Sequence, residues 1–174
     1  MYKGKGFDVK ERIKGFFWLF FFLVVLWLAL TSAFNSQELL AGISICFVIA
    51  LIAHKFYIGL GFPSVSLKKF CFSLVYILVL FYEIVKANID VALRIIRPSL
   101  PINPGVVVIK TGLKSDIAKI VLANSITLTP GTFTLDIQED KLLVHWIDVK
   151  ATDIETATNI IGGKFEKYLR IIFQ

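Results

Sequence analysis

The sequence predicts a membrane protein in two parts. The N-terminal part is α-helical, a helical hairpin followed by a long, partly amphipathic helix; the C-terminal part is a small α+β domain of order β-α-β-β-α. Three observations predict this. Gly15 to Phe34 reads GFFWLFFFLVVLWLALTSAF, 20 residues without a charge, long enough at about 1.5 Å per residue to cross a hydrocarbon core of about 30 Å. A second apolar run, Leu39 to Ala53, follows after only Asn35-Ser36-Gln37-Glu38. Beyond a proline-rich stretch, Arg97 to Gly105, the texture changes to short alternating strands, turn residues and one amphipathic helix.

The first run is too long for the apolar stretch of a signal peptide, about 7–15 residues, and no A-x-A-like site follows it, so it is read as a retained span. The second run is closed by His54 and Lys55 and reaches spanning length with Phe56, Tyr57 and Ile58. The four-residue link forces the two runs antiparallel. Neither run carries a charge, and small-xxx-small positions are few, Gly42 with Cys46 being marginal. Two such spans are expected to rest against a larger membrane partner. Gly59, Gly61 and Pro63 then break the helix.

A third apolar run, Phe70 to Tyr82, is only 13 residues long. Past it, Glu83, Lys86, Asp90, Arg94 and Arg97 recur every three or four residues and fall within an arc of about 80° on a helix. Glu83/Lys86 and Asp90/Arg94 are spaced for ion pairs. Residues 67–97 therefore read as one helix, apolar in its first half and amphipathic in its second. It either lies in or along the cytoplasmic interface or crosses as a third span. Crossing would place Lys86, Arg94 and Arg97 outside, against the positive-inside rule, or draw Glu83 into the core, so the interfacial placement is preferred.

Three prolines between Pro98 and Pro104 end that helix. Val106 to Lys110 reads as a strand. Ser115 is placed to N-cap a helix from Asp116 to about Ser125. Thr127 to Thr129 with Pro130-Gly131 is a strand-and-turn signal. Thr132 to Ile137 alternates, with Phe133, Leu135 and Ile137 on one face, and after Gln138-Glu139-Asp140 the return strand runs from Lys141 to Val149. Thr152 and Glu155 form a capping-box pattern for the last helix, whose apolar face is Ile154, Ala157, Thr158, Ile161, Phe165, Tyr168, Leu169 and Ile172. Gly162-Gly163 weakens it midway by about 1 kcal/mol per glycine. The expected division is 1–58 for the hairpin, 59–104 for the interfacial or embedded helix with its linker, and 105–174 for the α+β domain.

The net charge of +6 is unevenly spread. Residues 1–15 hold five Lys/Arg against two acids, residues 54–100 six against two, and residues 101–174 eight against eight. A basic excess beside apolar runs sets membrane orientation; nucleic-acid binding calls for basic residues clustered on a folded surface. Both hairpin ends, and with the interfacial placement the C-terminal domain, are expected in the cytoplasm.

No catalytic constellation is present. The sequence has no phosphate-binding loop, no dinucleotide fingerprint, no G-x-S-x-G and no paired Cys or His at metal-ligand spacing. No enzyme activity, cofactor or metal is expected. Cys46 and Cys71 lie in apolar runs and read as small hydrophobes. His54 and His145 read as structural. Asp136 and Asp148 could form a cross-strand carboxylate pair, but solvent-facing positions are preferred. Glu83 is the one acid near the membrane core and so a proton-site candidate; pairing with Lys86 at the interface is the preferred reading.

The segment LANSITLTPGTFTL (Leu122 to Leu135), with KANIDVALRIIRPSLPINPGVV (Lys86 to Val107), TGLKSD (Thr111 to Asp116) and VHWIDV (Val144 to Val149), resembles the E-type subunits of the Mrp (also Mnh) multisubunit cation/proton antiporter family. The match is good over residues 84–150; the first 80 residues agree in hydropathy rather than motif. The resemblance implies a small accessory subunit of a seven-part hetero-oligomer in prokaryotic inner membranes, exchanging cytoplasmic Na+ (in some members K+ or Li+) for external protons, with its C-terminal portion cytoplasmic and its large partners similar to antiporter-like subunits of respiratory complex I. The motif carries over as Asn124, Ser125, Thr127, Thr129, Pro130, Gly131 and Thr132. It is rich in hydroxyls and uncharged. It reads either as a docking or ion-entry surface or as a helix–turn–strand corner whose hydroxyls satisfy the backbone. Beside the antiporter reading stands an independent membrane-anchored cytoplasmic binding or regulatory module.

Overall fold

A computed structural model describes residues 9–31, 35–59 and 66–174. The expected break at Gly61 and Pro63 lies outside these residues. The chain divides into two compact units, Met1–Val65 and Ser66–Gln174.

In the first unit, α1 (Val9–Thr31) and α2 (Ser36–Gly59) pack on each other. α2 begins at Ser36, three residues before the apolar run that marks it in the sequence. Asn35 accepts the Glu38 backbone N–H on its side-chain oxygen at 2.9 Å, so the first turn of α2 takes up Ser36 to Glu38. The contact between the helices is a seam of small residues. Gly42, Cys46 and Ala50 are buried at four-residue spacing while their neighbours on α2 face outward, and the Trp27 indole lies where a side chain on Gly42 would be. Small-residue packing is thus more extensive than the sequence reading allowed, because Ala50 completes it. Phe16 and Phe20 meet Phe47 edge-on with centroids 5.5 and 6.0 Å apart.

The second unit joins α3 (Leu67–Ile96) to β1 (Gly105–Lys110), α4 (Asp116–Leu128), β2 (Thr132–Gln138), β3 (Lys141–Trp146), α5 (Ile154–Thr158), a π-helical turn (Asn159–Gly163) and α6 (Lys164–Phe173). The order β-α-β-β-α is as expected. The long helix and the α+β domain share one contiguous core: Tyr76 of α3 is buried with Ile109, Leu122, Ile126, Val144, Phe165 and Leu169, and Phe72 and Leu80 pack against them.

The sheet has order β1-β3-β2, all antiparallel. Val107, Ile109, Leu142, Val144 and Trp146 face the helices. β2 departs from the expected alternation. A bulge between Thr134 and Asp136 shifts its register against β3, so Phe133 and Leu135 are exposed while Ile137 turns toward the core. One extra residue reverses the phase of everything after it.

Helix boundaries differ from the sequence reading at three places. α4 continues through Thr127 and Leu128, and Thr129 ends it; the strand signal there was the β-propensity of threonine, overridden by burial of Ile126. Ser115 holds the N-cap backbone conformation, but its hydroxyl makes no cap bond and is buried without a partner. The last helix is capped by Asp153, not Thr152: the Asp153 carboxylate accepts the Thr156 N–H at 2.8 Å. β3 stops at Trp146, after which the chain is stitched between two neighbours, with Ile147 donating to the Gly131 carbonyl at 2.8 Å and Val149 to that of Asn103 at 2.8 Å.

Candidate functional site

A cleft of about 480 Å³ runs between the second half of α3, the corner at Thr129–Thr132 and the π turn. It joins the two sets of residues singled out in the sequence: Glu83, Lys86, Asp90 and Arg94 line one wall, and Thr129, Pro130, Gly131 and Thr132 another. Arg97, Asn124, Ser125 and Thr127 lie outside it. Asn124 and Thr127 line a separate shallow cleft beside β2, and Arg97 ends α3, its N–H bonded to the Arg94 carbonyl at 3.3 Å.

Four residues of the cleft wall, Glu83, Lys164, Arg94 and Asp148, have partners that the sequence does not disclose. Glu83 pairs with Lys164 at 2.6 Å; the expected Lys86 partner is exposed and has no ion-pair partner among the described residues. Lys164 stands 81 positions away in sequence, so helical spacing could not disclose it. Asp90 and Arg94 pair at 2.8 Å as expected, but Arg94 also reaches Asp148 at 2.8 Å and donates to the Pro101 carbonyl at 2.8 Å. Its guanidinium fork suits three acceptors at once. Asp148 therefore bonds to α3 and makes no cross-strand pair with Asp136, which is exposed and accepts from the Ile137 N–H and Gln138 Nε2. Lys150 and Trp146 complete this wall.

The hydroxyl-rich corner turns inward. Ser125 donates to the Val121 carbonyl at 2.7 Å and is hydrogen-bonded to the buried Tyr76 hydroxyl. Thr129 donates to the Ser125 carbonyl at 2.8 Å, and Thr132 shares its proton between the carbonyls of Ile126 (2.7 Å) and Thr129 (2.9 Å). The Thr127 hydroxyl accepts the Thr134 N–H at 3.2 Å. The carbonyls of Ser125 and Ile126 are among those that the end of α4 leaves without intrahelical partners. Gly131 sits at φ +90, and a Cβ there would approach Ile147 Cγ2 to 2.9 Å, which is why glycine holds the turn.

Chemically, the cleft is a set of closed ties. Its acids are answered by bases, and its hydroxyls by carbonyls. A second closed set lies on α6, where the buried Glu166 accepts from Thr111 Oγ1 (3.0 Å), the Gly112 N–H (2.9 Å) and Arg170 (2.8 Å). Among the described residues, no three His, Cys, Asp or Glu side chains are gathered closely enough to hold a metal ion.

Three helices are long and apolar enough to cross a membrane: Ile13–Thr31, Ser36–His54 and Leu67–Ile96. The family described as Na+/H+ ion antiporter subunit (MNHE) matches residues 20–172. The chain belongs to this family. The match spans the hairpin as well as the α+β domain, so the antiporter-subunit family covers both parts. The Na(+)/H(+) antiporter E1 subunit of Staphylococcus aureus (strain bovine RF122 / ET3-1) is 32% identical over 152 residues, covering 86% of this chain and 92% of that protein; the protein of strain JH9 gives the same figures. Among solved structures, a chain of the membrane-bound sulfane sulfur reductase, an archaeal respiratory membrane complex, superposes with a TM-score of 0.81 at 41% identity, covering 92% of this chain and 99% of its own length. A chain of the Mrp complex from Dietzia sp. DQ12-45-1b gives a TM-score of 0.42 at 25% identity over 58% of this chain, too low an overlap to carry an argument. The resemblance of the motif blocks to the E-type antiporter subunits is borne out by the family match and the staphylococcal relatives. The chain is thus a membrane protein of an antiporter-subunit family.

Proposed function

We propose that this chain is an accessory subunit of a multisubunit cation/proton antiporter, needed for assembly and stability and not carrying the main ion path. One observation carries the reading: the acids of the cleft, its Arg94 and its corner hydroxyls are spent on internal ties. A conducting path needs groups that exchange partners with a passing ion. Here Glu83 is held by Lys164, Arg94 by Asp90 and Asp148, and the corner hydroxyls by carbonyls. The spans Gly15–Phe34 and Leu39–Ala53 contain no Asp, Glu, Lys, Arg or His either. In this reading the protein sits in the prokaryotic plasma membrane, with its N-terminus and C-terminal domain in the cytoplasm and about six different partner subunits. The corner at Asn124–Thr132 is structural, and its exposed side is open to docking.

Affinity purification of the tagged full-length chain in mild detergent from its own cells, followed by mass spectrometry, tests this. Large multi-span antiporter-like proteins are expected with it; recovery of a folded, monodisperse chain alone overturns the accessory reading in favour of an anchored binding module. A second reading is favoured by the 41% identity and TM-score of 0.81 to a chain of an archaeal respiratory membrane complex: the antiporter subunits form part of a larger respiratory assembly. Redox-cofactor proteins in the same purification would select it.

A further inference from the structure

The long helix α3 presents two opposed faces with different neighbours. Phe72, Tyr76, Leu80, Glu83, Val91 and Arg94 lie on one side and touch the α+β domain, through the shared core, the Ser125 hydroxyl, Lys164, the Gly131 corner and Asp148. On a helical wheel these positions fall within an arc of about 100°. The other side is an unbroken apolar stripe running through Phe70, Leu74, Phe81, Val85, Ile89 and Ile96, all exposed, with Phe81 at 66% and Ile96 at 77%. Asn88 lies at the edge of the stripe, and its amide donates to the Ile84 carbonyl of its own helix at 2.8 Å. The stripe spans nearly the full 30 residues, about 45 Å.

We propose that α3 does not cross the bilayer but lies along its surface, with the apolar stripe sunk into the boundary between headgroups and acyl chains and the α+β domain riding on the opposite face. The domain touches α3 from Phe72 to Arg94, about 33 Å of helix, which exceeds the depth of a hydrocarbon core. If α3 crossed, the domain would have to cross beside it, taking Lys164, Asp148, Arg170 and Lys167 into lipid. Laid flat, each group has its solvent. The charged flank agrees. Lys68, Lys86 and Arg97 fall on one line within about 20° of each other, on the flank between the domain-facing side and the stripe, past the exposed Val75 and Leu93, a position from which long cationic side chains reach anionic headgroups. This also explains why the first half of α3 is apolar all round without being a span: one apolar face packs on protein, the other on lipid.

The inference rests on the membrane reading and not on the accessory-subunit reading. Its test is nitroxide depth profiling of the full-length chain, purified with whatever subunits accompany it and reconstituted in vesicles of phosphatidylcholine and phosphatidylglycerol. In a Cys46→Ala, Cys71→Ser background, single cysteines replace Leu74, Phe81, Val85, Ile89 and Ile96, with Phe21 as the deep reference and Glu139 as the aqueous one. Collision rates with oxygen and a nickel chelate then report depth. A surface helix gives five labels at one shallow depth, within a few ångströms of each other. A depth that rises to a maximum and falls along the series means a third span and overturns the proposal. Labels shielded from both colliders mean that another subunit covers the stripe, and overturn it as well. A profile obtained without copurifying subunits still decides the orientation, so the two readings fail separately.

Discussion

Arg94 is the residue on which most of the cleft converges. Its side chain is 14% exposed and answers two carboxylates and a carbonyl. Arg94→Ala leaves the quarter-exposed Asp148 unanswered and is expected to lower stability by about 1–2 kcal/mol, less than a fully buried pair because water screens the remaining charges; chemical denaturation of the detergent-solubilised chain reads it. Arg94→Lys recovers only part, since a lysine cannot fork. Tyr76→Phe removes the hydroxyl that meets Ser125 and is expected to cost about 1 kcal/mol; a cycle with Ser125→Ala separates that bond from the hydroxyl's own solvation. At Gly131, alanine at φ +90 with Ile147 in its way is expected to cost about 1–3 kcal/mol in the same assay. Asp153 gives a pH signature. The Thr156 N–H holds its carboxylate below the ordinary aspartate range, so the cap's contribution is complete above the unfolded-state pKa of about 3.9 and is lost as pH falls through the lower folded-state value. Asp153→Asn keeps an acceptor but should flatten that part of the acid limb in thermal melts recorded against pH. At this scale the sequence showed the polar residues but not their partners. Asp90 with Arg94 was legible because four residues on a helix is a fixed distance; Glu83 with Lys164 was not, because only the tertiary fold brings them together.

Among the elements, the hairpin and the last helix show what periodicity can and cannot disclose. Both spans were legible as uncharged runs. Their packing was not fully so: Gly42 and Cys46 were visible, but Ala50 gains meaning only once the buried seam is seen. Gly42→Val places a branched side chain against the Trp27 indole and is expected to separate α1 from α2; a disulfide trap between engineered cysteines on the two helices would lose its yield. In the last helix the expected apolar face is buried at Ala157, Ile161, Phe165, Leu169 and Ile172, but Ile154 is exposed, and Asn159–Gly163 is a π turn. A π turn inserts one residue into the helical phase, and Gly162, buried beside Ile109, is small enough to allow it there. The bulge in β2 is the same event in a strand. Alternation predicted one apolar face for Phe133, Leu135 and Ile137; an extra residue after Thr134 turns Ile137 to the face opposite Phe133 and Leu135. Single-residue insertions leave composition and approximate period intact, and so leave little trace in sequence.

For the whole molecule, the two-part organisation was read from hydropathy and from the proline-rich stretch. The structure groups α3 with the α+β domain, because Phe72, Tyr76 and Leu80 belong to its core. A hydropathy reading sees the apolarity of that helix but not which protein surface absorbs half of it. The arrangement has a consequence for synthesis. While the ribosome is still making the domain, α3 emerges as a long apolar segment of the kind the insertion machinery laterally releases into lipid. If α3 lies along the surface as proposed, what holds it there, Phe165, Lys164 and the rest of α6, is translated later, with Lys164 81 residues beyond Glu83, several seconds at about 5–20 residues per second. During that interval the nascent chain has two destinations for one helix. Removing α6 by a stop codon after Thr158 is expected to send α3 across the membrane, and a glycosylation acceptor placed in the linker after Arg97 would record the crossing.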